Sequence, residues 1–301
     1  MAQVVSPTVA RRRVRLALRE AREAAEFTQL QVAEEMEWSL SKVIRIENGD
    51  VSISPNDLRP LLSYLGFKDR ALINALIADA KVARMRTHAA WWQSPDFKEI
   101  PDVLRRYIEY EASAVAVRSF CIRYIPGPLQ IPEYAEALTG SFEGQIPDDR
   151  VKVLIEARRR RREAMLDRLG KTLDYYAIFE EPVFLRKTGG AAVFTAQLRE
   201  LHRLAVAGQM KIRMLPLELD VPIANNATFD LVALGDGGEN EVLYRENGLA
   251  DELLEDKIST SRHLERFDQL WHIATDEDDT IAYIGQRIDV LTRTIENGQG
   301  T

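Results

Sequence analysis

Six arginines, Arg11, Arg12, Arg13, Arg15, Arg19 and Arg22, stand in one short stretch whose only acid is Glu20. Such a guanidinium cluster draws phosphates, although a solvated helix face has the same composition. A second run, Arg158 to Arg162, lies mid-chain, where Arg159 and Arg162 fall on one helical stripe with Ile155, Leu166 and Leu169. Glu111 in turn interrupts an apolar stripe of Leu104, Ile108 and Val115. Buried charges are rarely left unpaired. These residues therefore make either a structural Glu–Arg ion pair, which the pattern favours, or an effector pocket lined by arginines.

Enzyme and metal chemistry find little support. The single cysteine, Cys121, excludes an intrachain disulfide and any multi-cysteine zinc or iron–sulfur site within one chain. Following Phe120, it reads as a small buried hydrophobe rather than a redox sensor. His88, His202, His263 and His272 show no ligand spacing. There is no nucleophile elbow, phosphate-binding loop or dinucleotide glycine motif, and Gly189-Gly190 is short enough to be a plain turn. The expectation is no cofactor, no metal and no enzymatic activity. An activity hidden in the second half of the chain is the rival.

At 301 residues and 34.2 kDa the chain is about twice a typical domain in length, and its 46% hydrophobic residues and mean hydropathy of -0.24 suit two globular domains. No window approaches the roughly 18 apolar residues of a membrane span, and the start lacks the apolar core of a secretory signal, so a cytoplasmic protein with no membrane partner is expected. The net charge of -7 is unevenly held: residues 1–68 carry ten basic and nine acidic side chains, leaving the acidity downstream.

The pattern from 9 to 87 is a row of short helices. Val14, Leu18 and Ala21 share a face of the first, over 9–26. Thr28 and Gln31 form a capping box for the second, in which Val32, Ala33 and Met36 point inward. Glu37-Trp38-Ser39 is a turn so short that the next helix must leave at a steep angle. Ser39 caps a third helix that buries Val43 and Ile46, leaves Leu40, Ser41, Lys42, Ile44 and Arg45 outside, and ends at Asn48-Gly49. Exposed aliphatic residues among polar ones suggest a surface that touches something. A fourth helix follows Ser54-Pro55, with Pro60 expected to delay or kink it, and a fifth spans about 69–86.

The segment TQLQVAEEMEWSLSKVIRIENG resembles the helix-turn-helix of phage-repressor-type regulators, the xenobiotic-response-element class, through Gln29, Ala33, Ser39, Glu47 and Gly49. Glu37 stands where the family usually has glycine; a left-handed residue there costs roughly 1 kcal/mol. The resemblance implies a recognition helix in the major groove of double-stranded operator DNA. Ser41 and Arg45 would bond base edges, Leu40 and Ile44 touch thymine methyls, and Gln29 bind a phosphate or nearby base. Ser39 would cap that helix, while Lys42 with Arg11, Arg12 and Arg13 would neutralise phosphates. A helical bundle that only packs or dimerises is the competing reading.

Trp91-Trp92 and the Pro95–Pro101 stretch mark a second domain, 91–275, of mixed α/β class. Helices are expected over 102–120, around Tyr134–Leu138, over Pro147–Leu169, around Ala192–Ala207 and over Asp251–Ala274. Strands are expected at Leu173–Phe179, Met210–Leu215, Thr228–Leu234 and Glu241–Tyr244, the last two joined by the turn-rich Gly235–Gly238. The ordered pieces YIEYEASAVAVRSF, IPGPLQIPEYAEAL, FEEPVFLRKTGG, AQLRELHRLA, IRMLP and FDQL resemble the C-terminal domain of unassigned function in antitoxin-like helix-turn-helix regulators of actinomycetes. Pro128 and Glu163 depart from that pattern, where leucine and glutamine are usual.

The resemblance implies a transcription regulator that binds DNA through 1–87 and whose second domain senses a ligand or binds a small partner protein; because one helix-turn-helix buries little surface, a homodimer is expected. The alternative is an antitoxin acting mainly by sequestering a small toxin. Residues 276–301 read as a C-terminal helix with a frayed tail, in which Ile281, Ile284, Ile288, Leu291 and Ile295 form a stripe that must be covered by this chain or another.

Overall fold

Every helix of the N-terminal region starts at a side-chain oxygen that accepts an otherwise unmatched backbone N–H. Ser6 caps α1 (Pro7–Ala24), Thr28 α2 (Gln29–Glu35), Ser39 α3 (Leu40–Asn48), Ser54 α4 (Pro55–Tyr64) and Asp69 α5 (Arg70–Val82). The computed structural model describes residues 6–85, 90–140, 148–220, 227–235, 241–246 and 251–298, and the chain divides into two units, Met1–Ala90 and Trp91–Thr301. The apolar stripes of the five helices meet in one core, with Leu18, Val32, Val43, Leu58, Leu62 and Leu76 among its buried members. α1 stops two residues short of expectation because Glu26 turns left-handed, at φ 58°. α4 runs through Pro60 and starts where Pro55 predicts.

The second unit is built on a six-stranded mixed sheet: β1 (Ala116–Cys121), β2 (Asp174–Glu180), β3 (Lys211–Leu215), β4 (Phe229–Ala233), β5 (Glu241–Arg245) and β6 (Glu252–Leu254). The order is β3-β2-β1-β4-β5-β6. β1, β2 and β3 run parallel, which requires long crossovers: α7 (Pro132–Gly140) with α8 (Asp148–Leu166), then α9 (Gly190–Val206). The β1–β4, β4–β5 and β5–β6 pairs are antiparallel. α6 (Asp102–Glu111) precedes the sheet, and α10 (Lys257–Ile273) and α11 (Glu277–Glu296) follow it. Phe120, Ile178, Leu231 and Leu243 pack with Phe267 and Leu270 of α10.

Two expectations are corrected. The helix expected over 102–120 ends at Glu111, and residues 116–121 form the central strand, bonded on both sides to β2 and β4. Pairing on both edges overrides the helical spacing of Ile108, Glu111 and Val115. Likewise the helix expected from Asp251 begins at Lys257, capped by Asp256, because Glu252–Leu254 pairs with β5. His88, Pro147, the turn residues Asp236–Gly238 and the tail residues 299–301 lie outside the described residues.

The surplus apolar stripe of the last helix is covered by the second unit itself except at its end, Ile295. Ile284 and Leu291 are buried against it, Arg199 of α9 donates to Thr292 Oγ1 at 3.0 Å, and a Cβ on Gly285 would lie 3.6 Å from His202 Nε2. Thr275 ties the start of this segment to Met214 of β3, its N–H reaching the Met214 carbonyl at 2.9 Å. Among the described residues no helix is long and apolar enough to cross a membrane. Ile284→Ala, which empties a buried position, is expected to cost about 2–5 kcal/mol. Ile295→Ala, at a 38% exposed position, should stay within about 0.5 kcal/mol in the same urea titration.

Candidate nucleic-acid interface

The relation of α2 to α3 is set locally. The Gln31 N–H donates to Thr28 Oγ1 at 3.2 Å, and the Thr28 N–H donates to Gln31 Oε1 at 2.8 Å, so both ends of the capping box are closed. Val32 and Ala33 are buried, and the small Ala33 leaves room for close crossing. Glu37 adopts φ 53°, the left-handed conformation that glycine would take there, and the next residue, Trp38, donates its N–H to the Ala33 carbonyl at 2.8 Å. Ser39 Oγ accepts the Lys42 N–H at 3.2 Å, and Gly49 closes α3 at φ 81°.

One buried carboxylate ties three helices together. Glu47 of α3 is 4% exposed, and Arg22 of α1 grips it through Nε at 2.6 Å and Nη2 at 3.0 Å. Gln29 of α2 donates to the same carboxylate at 2.8 Å. Arg22 also donates to the Phe27 carbonyl at 2.9 Å, fixing the α1–α2 connection, and its guanidinium pKa is raised by the bond to Glu47. Arg19 adds a bond to the Glu47 carbonyl at 3.0 Å.

This lock leaves one side of α3 facing solvent. Ser39, Leu40, Ser41, Ile44 and Arg45 are all exposed there, with Leu30 of α2 close by in the chain. Arg45, a long cation among small and aliphatic neighbours, can reach an acceptor that Ser41 and Ile44 flank. Lys42 is half-buried: its ammonium lies 3.3 Å from Asp57 Oδ2 and 3.8 Å from the centroid of the Trp38 ring. An exposed pair of that kind is weak, so a phosphate could replace Asp57 as the partner. Gln29 is placed by Glu47 rather than standing free.

The arginines of α1 differ from expectation. Arg12 and Arg15 are buried, and Arg11 is partly buried with its Nε bonded to Ser52 Oγ at 3.1 Å. Arg13 lies in the field of Asp79 of α5, whose carboxyl pKa is raised by burial and lowered by that arginine. Arg11, Arg15 and Arg22 turn toward their own unit because they share a face of α1 with Val14 and Leu18, so stem and charge pack together. Sequence spacing showed the cluster; only the packed helix shows its direction.

In the second unit Glu111 does have an arginine, but a different one. Arg161 meets it side-on through Nε and Nη2, both at 2.8 Å, while Arg159 pairs with Glu156 and Glu163 on the surface and Arg162 with Glu200 at 2.5 Å. With five consecutive arginines, residues 154, 158, 161 and 165 make as good a stripe as 155, 159, 162 and 166, and Glu111 selects the former. Arg158 and Arg161 are thus the two inward cations that sequence reasoning missed.

Loss of the Glu47 carboxylate should be felt throughout the first unit. Glu47→Ala is expected to cost about 3 kcal/mol, since it strands Arg22 and Gln29 together, and combining it with Arg22→Ala should cost less than the sum of the two. Urea unfolding of the single and double variants measures this, and additive losses would mean the pair is not coupled.

Residues 13–76 match a helix-turn-helix domain, and residues 104–286 match a domain of unknown function (DUF5753). No curated protein and no solved structure matches the chain. The first match covers α2, the turn and α3 together with the core that holds them, and the second runs from α6 into α11. Because that second match spans more than half of the chain, the protein belongs to the DUF5753 family, with a helix-turn-helix domain ahead of the family domain.

Proposed function

We propose that the protein is a sequence-specific, DNA-binding transcription regulator of the phage-repressor-like class that binds its operator as a homodimer, and that its second unit receives a small ligand or a partner protein. The observation that carries the reading is the exposed face of α3. Leu40, Ser41, Ile44 and Arg45 stand outward on a helix that Glu47 and two caps hold fixed. A fixed helix presenting a guanidinium, a hydroxyl and two aliphatic groups suits the donor and methyl pattern of the major groove. The uneven charge agrees: the near-neutral first unit can approach phosphates, whereas the acidic remainder is repelled by them. The antitoxin-like arrangement, with a small partner protein on the second unit, belongs to the same reading.

Arg45→Ala should abolish discrimination at its base pair, a loss of about 1–3 kcal/mol on the specific duplex and little on a scrambled one. Lys42→Ala should weaken both duplexes alike and lower the salt slope by about one. Titrations on the two duplexes read this out, and an unchanged specificity ratio for Arg45→Ala sinks the base-reading role.

A lone helix-turn-helix buries little surface, so tight binding calls for two copies on half-sites about 10 bp apart or a multiple of that. Light scattering and footprinting on a selected operator are expected to give two chains and a two-fold footprint. A single chain both free and on DNA would refute the dimer.

A further inference from the structure

Where β1 ends, α6, α8 and the β4–β5 pair enclose a cavity of about 220 Å³. It opens beyond the carboxyl end of the central strand, between the parallel and antiparallel halves of the sheet, where open α/β sheets commonly take ligands. An engineered cavity of about 150 Å³ holds benzene, so this one has room for a molecule of roughly amino-acid size.

The polar groups of the wall fall into three sets. Most are matched within the protein: Arg161 by Glu111, and Asp230 by Ser119 Oγ at 2.5 Å and Tyr107 at 2.7 Å. Others are matched on one side alone. Glu246 accepts from Tyr124 through Oε2, and Asp251 accepts from Tyr244 through Oδ2 at 2.6 Å, leaving the second oxygen of each without a hydrogen-bond donor among the described residues. Arg158 is the outlier. It lines the cavity, is partly buried, and among the described residues it makes no hydrogen bond or ion pair. Burial, and then Arg161 on the same face of α8, lower its pKa, against the pull of Glu246. A guanidinium carries five donors, and one that faces a cavity without a protein acceptor has those donors open to a ligand.

We infer that this cavity is a ligand site for a zwitterionic amino acid or a close derivative, its carboxylate on Arg158 and its ammonium between Glu246 and Asp251. A carboxylate fits a guanidinium side-on through two parallel bonds. The two acids nearby disfavour a phosphate dianion and favour a cationic donor, so the opposed charges of a zwitterion match the wall at both ends. The stacked pair Tyr107 and Tyr244, with centroids 4.2 Å apart, closes one wall. This inference rests on the reading that the second unit receives a signal, and it names the signal's chemistry.

The test uses the full chain and the twenty proteinogenic L-amino acids, each added singly in a thermal-melting experiment. At a hundredfold excess over Kd, one or a few should raise the transition of the second unit by roughly 5–10 °C. The shift should vanish in Arg158→Gln, shrink in Arg158→Lys, and be absent when the amino acid is replaced by its desamino acid, its decarboxylated amine or inorganic phosphate. No shift from any of the twenty, an undiminished shift in a folded Arg158→Gln protein, or an equal shift from phosphate would each overturn the inference. Duplex selection by the same wild-type protein separates the failures. DNA selectivity without any amino-acid response overturns the ligand assignment alone, and absence of DNA selectivity overturns the regulator reading.

Discussion

Removing a carboxylate from water costs several kcal/mol unless donors take the solvent's place, and Glu47 meets that condition with a guanidinium fork and an amide. The geometry of the first unit depends on it. α1 supplies Arg22, α2 supplies Gln29 and α3 supplies the acid, so none of the three can rotate without breaking a charge-assisted bond. A core of Leu, Val and Ile alone would tolerate small slides between short helices; a buried bidentate pair has one good geometry. The cost is sensitivity, because losing either partner leaves the other buried and unmatched.

The second unit repeats the device with a different outcome. Glu111, at the last turn of α6, is met by Arg161 of α8, and Arg168 donates to the carbonyls of Glu111 and Ala112 at 3.1 and 3.0 Å. Here the pair fixes the rotation of α8 about its own axis. With Arg161 turned to Glu111, Arg158 one turn earlier faces the cavity, where among the described residues no carboxylate hydrogen-bonds it, although Glu246 acts on it electrostatically. A structural requirement at one position thus sets the direction of the next, and Arg158 lines the cavity because of the phase of the helix.

Much of the first unit was legible in the sequence because its information is local. Thr28 with Gln31, Ser39, Ser54-Pro55 and Asn48-Gly49 are short-range signals whose physics operates within one turn, and each falls where a helix begins or ends in the structure. Even the left-handed Glu37 followed from its place in the turn. What escaped depends on distant chain. Residues 116–121 have a spacing compatible with a helix, and become a strand because β2 and β4, from remote parts of the sequence, bond both of their edges. The arginines of α1 and α8 were visible as clusters, but their directions depend on partners many residues away: Ser52, Asp79 and Glu111.

The inward turn of the α1 arginines also changes how a groove-reading surface would have to work. Binding that rests on many phosphate contacts is strong on every sequence and collapses with salt, because each neutralised phosphate releases a counterion. With Arg12 and Arg15 buried and Arg22 engaged with Glu47, α1 offers few cations for that purpose, and the net charge over residues 1–68 is close to neutral. The exposed set on α3, one guanidinium, one hydroxyl and two aliphatic groups in fixed positions, is by contrast of the kind that the proposed function would use at base edges. A surface so composed gains little from the wrong sequence. On the proposed reading, its affinity would come from doubling the reading helix rather than from the charge of α1, which would tie specificity to assembly.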